Sequence, residues 1–142
     1  MSCVKDIVHQ RELFCVEEHQ SVADVARKMT DLHVGAILVF DGDQLRGVFS
    51  ERDLMKRVVV ECRDPETTPV GLVMSTGVHT IDECASLEDA MESMQSYNCR
   101  HLPVTSTGRV VAFLSMRDVM NYELAQKTEE IHHMRAFITS NA

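Results

Sequence analysis

The chain has 142 residues, a net charge of -8, 44% hydrophobic and 25% charged residues, the balance of an ordinary globular domain. Its acidity, with no basic stripe interleaved with aromatics, argues against a nucleic-acid surface, and no apolar run nears the roughly 20 residues of a membrane helix. Five cysteines without a Cys-x-x-Cys pair argue against a disulfide framework and a zinc ribbon, and with no export signal at the N-terminus the expected compartment is the cytoplasm.

In chain order, the first predicted helix starts at Ser21, an N-cap with Asp24 three residues on, and carries Val22, Val25, Ala26, Met29 and Leu32 at helical spacing. Two apolar runs, Ala36 to Phe40 and Leu45 to Phe49, flank Asp41-Gly42-Asp43 and read as a β-hairpin. At Ser50-Glu51-Arg52-Asp53 the second run gives way to another helix. The prolines and charges of Arg63-Asp64-Pro65-Glu66-Thr67-Thr68-Pro69 break both periodicities and divide the chain into units 1–66 and 67–142. Thr68-Pro69 is placed to start a short helix through Met74.

The same order then returns. Ser86 and Asp89 open a helix with Leu87, Ala90, Met91, Met94 and Tyr97 on its apolar face. Leu102 to Val104 and Val110 to Leu114 form a hairpin about Ser106-Thr107-Gly108, and Ser115-Met116-Arg117-Asp118 leads into a last helix reaching about Thr139. Shifted by 65 residues the chain aligns with itself without a gap: Ser21 falls on Ser86, Met29 on Met94, Ser50 on Ser115, Arg52 on Arg117 and Asp53 on Asp118. A duplicated supersecondary unit carrying one polar set twice points to paired binding sites on a pseudo-symmetric frame rather than to a single catalytic centre.

Gly47-Val48-Phe49-Ser50-Glu51-Arg52-Asp53 and Arg100-His101-Leu102-Pro103-Val104 resemble the signatures of the cystathionine-β-synthase (CBS) domain family, and the resemblance covers nearly the whole chain as a stand-alone tandem pair. It implies an α/β (α+β) fold of two β-α-β-β-α units packed by their sheets about a pseudo-two-fold axis. It also implies a regulatory sensor that takes an adenine-containing ligand, such as AMP, ATP, NAD or S-adenosylmethionine, between the units, and that acts as a homodimer on an unidentified effector protein. By the same resemblance Asp53 and Asp118 accept from a ribose diol, and Ser50 and Ser115 bond phosphate or ribose. Arg52, Met116 and Arg117 belong to the same two segments. The ligand base lies against Cys15 and Val16, or against His79 and Thr80, in a slot closed by Ala36 and Ile37, or by Leu102 and Pro103. Ala112 stands where the first motif has Gly47, a methyl expected to narrow the second site. Arg100 and His101 add donors where the first unit has Gly35 and Ala36, so the second site is the expected phosphate site.

Other features read as structural. His132-His133 beside Glu129 and Glu130 is a solvated helix face rather than a metal site, since adjacent helical side chains diverge by about 100°. Cys15, Cys84 and Cys99 read as buried small hydrophobes. No nucleophile, base and orienting group can be assembled and no phosphate-loop or dinucleotide glycine pattern occurs, so no enzyme is expected. Met120, Leu124, Ile131, Met134 and Ile138 line one stripe of the last helix, which covers its own core or packs on a second copy. The alternative function is a ligand-free interaction or dimerisation module working through that helix.

Overall fold

The structure, a computed structural model, describes residues 2–9 and 11–140; Met1 and Ala142, the outer bounds of the two predicted units, lie outside the described residues. The first unit contains α1 (Val4–Val8), β1 (Cys15–Glu17), α2 (Val22–Leu32), β2 (Ala36–Asp41), β3 (Gln44–Ser50) and α3 (Glu51–Asp53), which runs on as a π-helix over Leu54–Val59. The second contains a 3-10 turn (Val70–Leu72), β4 (Ile81–Asp82), α4 (Leu87–Ser96), β5 (His101–Ser106), β6 (Arg109–Ser115) and α5 (Met116–Ser140). Each unit holds a three-stranded sheet, β1-β2-β3 or β4-β5-β6, with the short entering strand parallel to the central one and the hairpin antiparallel.

The local chemistry follows the expected signals. The Ser21 and Ser86 hydroxyls accept from the Asp24 and Asp89 amides at 3.1 and 3.0 Å, capping α2 and α4. The hairpin turns place Gly42 at φ 59° and Gly108 at φ 81°, backbone that glycine adopts without a Cβ penalty. Along β2, Ile37 and Val39 enter a core with Val22, Val25, Met29 and Phe49, and along β5, Leu102 and Val104 enter the equivalent core with Leu87, Ala90, Met94 and Leu114. Side chains alternate across a strand, yet Ala36, Leu38, Phe40 and Pro103 on the opposite faces are buried as well. Both faces of each central strand are therefore covered.

The cores exchange their lead-in segments. Val4 and Val8 of α1 are 0% and 4% exposed within the second core, and Val70, Val73 and Met74 lie in the first. Matching backbone bonds secure the exchange: Val4 and Lys5 N–H donate to Ala85 and Glu83 carbonyls, as Val70 and Gly71 N–H donate to Gln20 and Glu18. This explains two departures from the sequence reading. The helix expected through Met74 shrinks to one 3-10 turn because the chain leaves helical backbone at Val73 and pairs Ser75 with Val48 of β3. A helix not foreseen at all, α1, forms at the equivalent place. The helix after Asp53 differs too: its π winding buries Val58 at 1% exposure and sends Arg57 Nη1 to the Met74 carbonyl at 2.6 Å. Cys84 is exposed rather than buried, and the neighbouring Asp82 carboxylate pushes its thiol above the ordinary value; Cys15 and Cys99 are half-buried.

Candidate functional site

A cleft of about 970 Å³ opens between the units. One wall comes from the first unit: Ala36, where β2 begins, and Ser50, Arg52 and Asp53, where β3 turns into α3. Antiparallel pairing sets Ala36 opposite Ser50, which is why the motif lies beside the start of the central strand. The facing wall comes from the second unit: the approach to β4, Ser75 to His79, the end of α4 with Tyr97, and Arg100, His101 and Met116.

Asp53 is the anchored group. Its side chain accepts from the Ser50 amide at 3.0 Å, the Ser50 hydroxyl at 3.1 Å and the Ser75 hydroxyl at 2.8 Å, and it is 7% exposed. The Ser50 hydroxyl also accepts from the Asp53 amide at 3.2 Å, a closed capping box. In the second unit Ser115 and Asp118 repeat the box at 2.9 and 3.0 Å, but Asp118 is held by Arg11 Nη1 at 3.0 Å, where Asp53 meets the Ser75 hydroxyl and has its nearest guanidinium, Arg57 Nε, at 3.9 Å. Burial pushes the Asp118 carboxyl up, yet the Arg11 and Ser115 hydrogen bonds outweigh it and hold it below its usual 3.8.

Cations, an imidazole and a flat plate complete the cleft. Arg52 and Arg100 are exposed on it, and the His79 and Tyr97 rings stack with centroids 3.5 Å apart and planes within 8°. His101 packs on Phe113 at 5.1 Å between centroids. Burial pushes its imidazole below the ordinary 6.5, helped by Arg100 and opposed by Asp118 and Glu51. Neutral His101 thus contributes stability at pH above 6.5. As pH falls through the window between 6.5 and the lowered folded value, the unfolded chain takes up a proton that the folded one resists, and that contribution fades. His101→Gln is expected to flatten the stability profile in this window relative to the parent chain, measured by urea unfolding at a series of pH values. An unchanged slope would show that His101 is not buried in neutral form.

The structure therefore regroups the predicted residues. Ser50, Arg52, Asp53, Ala36, His79, Arg100, His101 and Met116 share one cleft. Arg100 and His101 line this cleft with Asp53, while His101 also pairs with Ser115 across the β5–β6 hairpin. Ser115, Arg117, Asp118, Pro103, Thr80, Cys15, Val16 and Ile37 do not line it; Val16 and Ile37 are 3% and 0% exposed in the first core. Sequence reasoning missed Ser75 and Tyr97. Ser75 carries no motif, and helical spacing made Tyr97 an apolar-face residue although it is 51% exposed at the end of α4. Gly47 approaches protein rather than ligand: a Cβ there would lie 2.5 Å from the Ser75 carbonyl oxygen. Among the described residues no three His, Cys, Asp or Glu side chains cluster as metal ligands, and no helix is long and apolar enough to cross a membrane.

Comparison with known proteins agrees with this architecture. The CBS domain profile matches residues 4–60 and 70–125. The CBS domain-containing protein YhcV of Bacillus subtilis is 30% identical over 128 residues, 90% of each chain. Among solved structures, a CBS-domain protein of Burkholderia ambifaria is 29% identical with TM-score 0.83, over 87% of this chain and 95% of that one. CBSX2, solved in complex with AMP, shares the fold at 24% identity and TM-score 0.75, over 89% of this chain and 99% of that one.

Proposed function

The chain belongs to the CBS domain family as a tandem pair, and from that footing we propose that it is a regulatory module whose inter-unit cleft takes an adenine nucleotide. The observation that carries this reading is the meeting, in one cleft of about 970 Å³, of an anchored Ser50–Asp53 box with two arginines and a stacked aromatic plate. Pockets for small ligands have about this size, with a few placed polar groups among apolar walls. That a family member of the same fold was solved with AMP supports the class of ligand.

Each group has a role suited to its chemistry. A ribose diol donates to the Asp53 carboxylate in place of the Ser75 hydroxyl, and Ser50 bonds the same sugar. Arg100 and Arg52 offer planar, permanently charged donors to phosphate. The base lies along the His79–Tyr97 plate, with Met91 and Met94 as adaptable apolar contacts. Nothing in this set makes a nucleophile and base, so occupancy works by shifting how the two units, or two copies of the chain in a cytoplasmic homodimer, are set for an effector protein. The free energy passed on equals the ligand's differential affinity for the two arrangements.

Calorimetry with AMP, ATP, NAD and S-adenosylmethionine tests the reading. At least one is expected to bind one per cleft, and Arg100→Ala is expected to weaken AMP and ATP by about tenfold while sparing adenosine. No heat with any of the four, and no nucleotide in mass spectra of the purified chain, would sink it.

A further inference from the structure

The family profile ends at residue 125, but α5 continues to Ser140, and every residue from 123 to 139 is exposed. This arm carries large apolar side chains in the open: Met120 is 51% exposed, Leu124 61%, Ile131 51%, Met134 58% and Ile138 65%. They are not scattered. Leu124, Ile131 and Ile138 recur every seven residues, and Met120, Lys127 and Met134 recur every seven at the intervening position, the alternation of a coiled-coil seam. A helix whose apolar stripe is interrupted only at Lys127 calls for a cover in water.

We propose that residues 120–138 form a parallel two-stranded coiled coil with the same segment of a second copy of this chain. The charges flanking the seam choose this occupant and its direction. On one flank stand Glu123 and Glu130, and on the other Thr128 and Arg135. In a parallel pair the first flank meets, five residues on, the second flank of the partner helix, so Glu130 faces Arg135 of the second copy twice over. In an antiparallel pair each flank meets itself, and the glutamates lose that cation. The body of the domain leaves room: Val119 is 0% exposed and Tyr122 packs on the same core, about 100° and about 160° round the helix from the seam at 100° per residue. Each domain thus lies beside the paired helices, not between them. Lys127 is the one polar layer, the kind of residue that gives up stability and fixes register.

The test uses the full chain in sedimentation equilibrium. The parent chain is expected to dimerise. Ile131→Glu should raise the dissociation constant about 100-fold or more, and Lys127→Leu should lower it about tenfold. Glu130→Arg should weaken the dimer and addition of Arg135→Glu should restore it. These positions are exposed, so circular dichroism should show every variant folded. Direction is read by mild oxidation: Leu124→Cys and Ile138→Cys should each cross-link with itself beyond the level of the parent chain. A monomer at all concentrations, a dimer indifferent to Ile131→Glu and Lys127→Leu, or cross-linking only when the two cysteine variants are mixed would overturn the proposal, the last by showing an antiparallel pair. None of these outcomes depends on a ligand in the cleft.

Discussion

Gly47→Ala is expected to destabilise the chain by about 3 kcal/mol, at the upper end for an added methyl in a packed place. A Cβ at Gly47 would lie 2.5 Å from the Ser75 carbonyl oxygen and 2.8 Å from Met74 Sδ. The sulfur ends a flexible side chain and can yield; the carbonyl cannot, because Val48 and Ser75 exchange both backbone hydrogen bonds, at 3.0 and 2.8 Å. The lead-in segment of the second unit would have to lift from β3, taking Val73 and Met74 out of the first core and the Ser75 hydroxyl away from Asp53. The same methyl is native at Ala112, where it is 2% exposed within the second core; there Ala112→Gly should cost about 1 kcal/mol, from strand entropy and a lost methyl. Urea unfolding of both variants checks the contrast. A Gly47→Ala loss near that of Ala112→Gly would mean that Ser75 does not lie so close.

The contrast between these two positions also shows how far residues alone carry a reading. The 65-residue repeat, the two capped helices and the two hairpins were legible because each rests on local chemistry: a hydroxyl three residues before an amide, apolar alternation, glycine at a turn. The Ser50–Asp53 and Ser115–Asp118 boxes were legible for the same reason. What escaped depends on residues distant in sequence. Val4-Lys5-Asp6-Ile7-Val8 is too short to show a period, and α1 exists because Ala85 and Glu83 accept its first amides. The π winding after Asp53 depends on burying Val58 and on a contact with Met74. Arg100 and His101 were assigned to their own unit's aspartate because the repeat aligns them with Gly35 and Ala36; only the packing of one unit on the other reveals that they share a cleft with Asp53. Internal symmetry displays equivalent positions and is silent about which of them face each other.

That pairing gives the two aspartates unequal consequences. Asp53→Ala is expected to abolish nucleotide binding and to cost about 2 to 3 kcal/mol of stability, because it strands the Ser50 amide and two hydroxyls in a part-buried site. Asp118→Ala removes a capping box and an ion pair whose side chains are 22% and 42% exposed, so solvent screening limits the loss to about 1 kcal/mol. It should leave binding in the cleft unchanged. The difference in binding follows from what a sugar must displace. At Asp53 a ribose hydroxyl would replace the neutral Ser75 hydroxyl, one hydrogen bond for another of the same kind, and leave Arg57 Nε at 3.9 Å. At Asp118 it must part a carboxylate from the Arg11 guanidinium, a charge-assisted bond at 3.0 Å that the lowered carboxyl value keeps intact at neutral pH. Calorimetry on the two alanine variants, with thermal unfolding to confirm that each is folded at the temperature used, reads both effects. Full binding by Asp53→Ala, or loss of binding in Asp118→Ala alone, would move the nucleotide to the Arg11–Asp118 side. Arg11 would then be a phosphate contact rather than a plug.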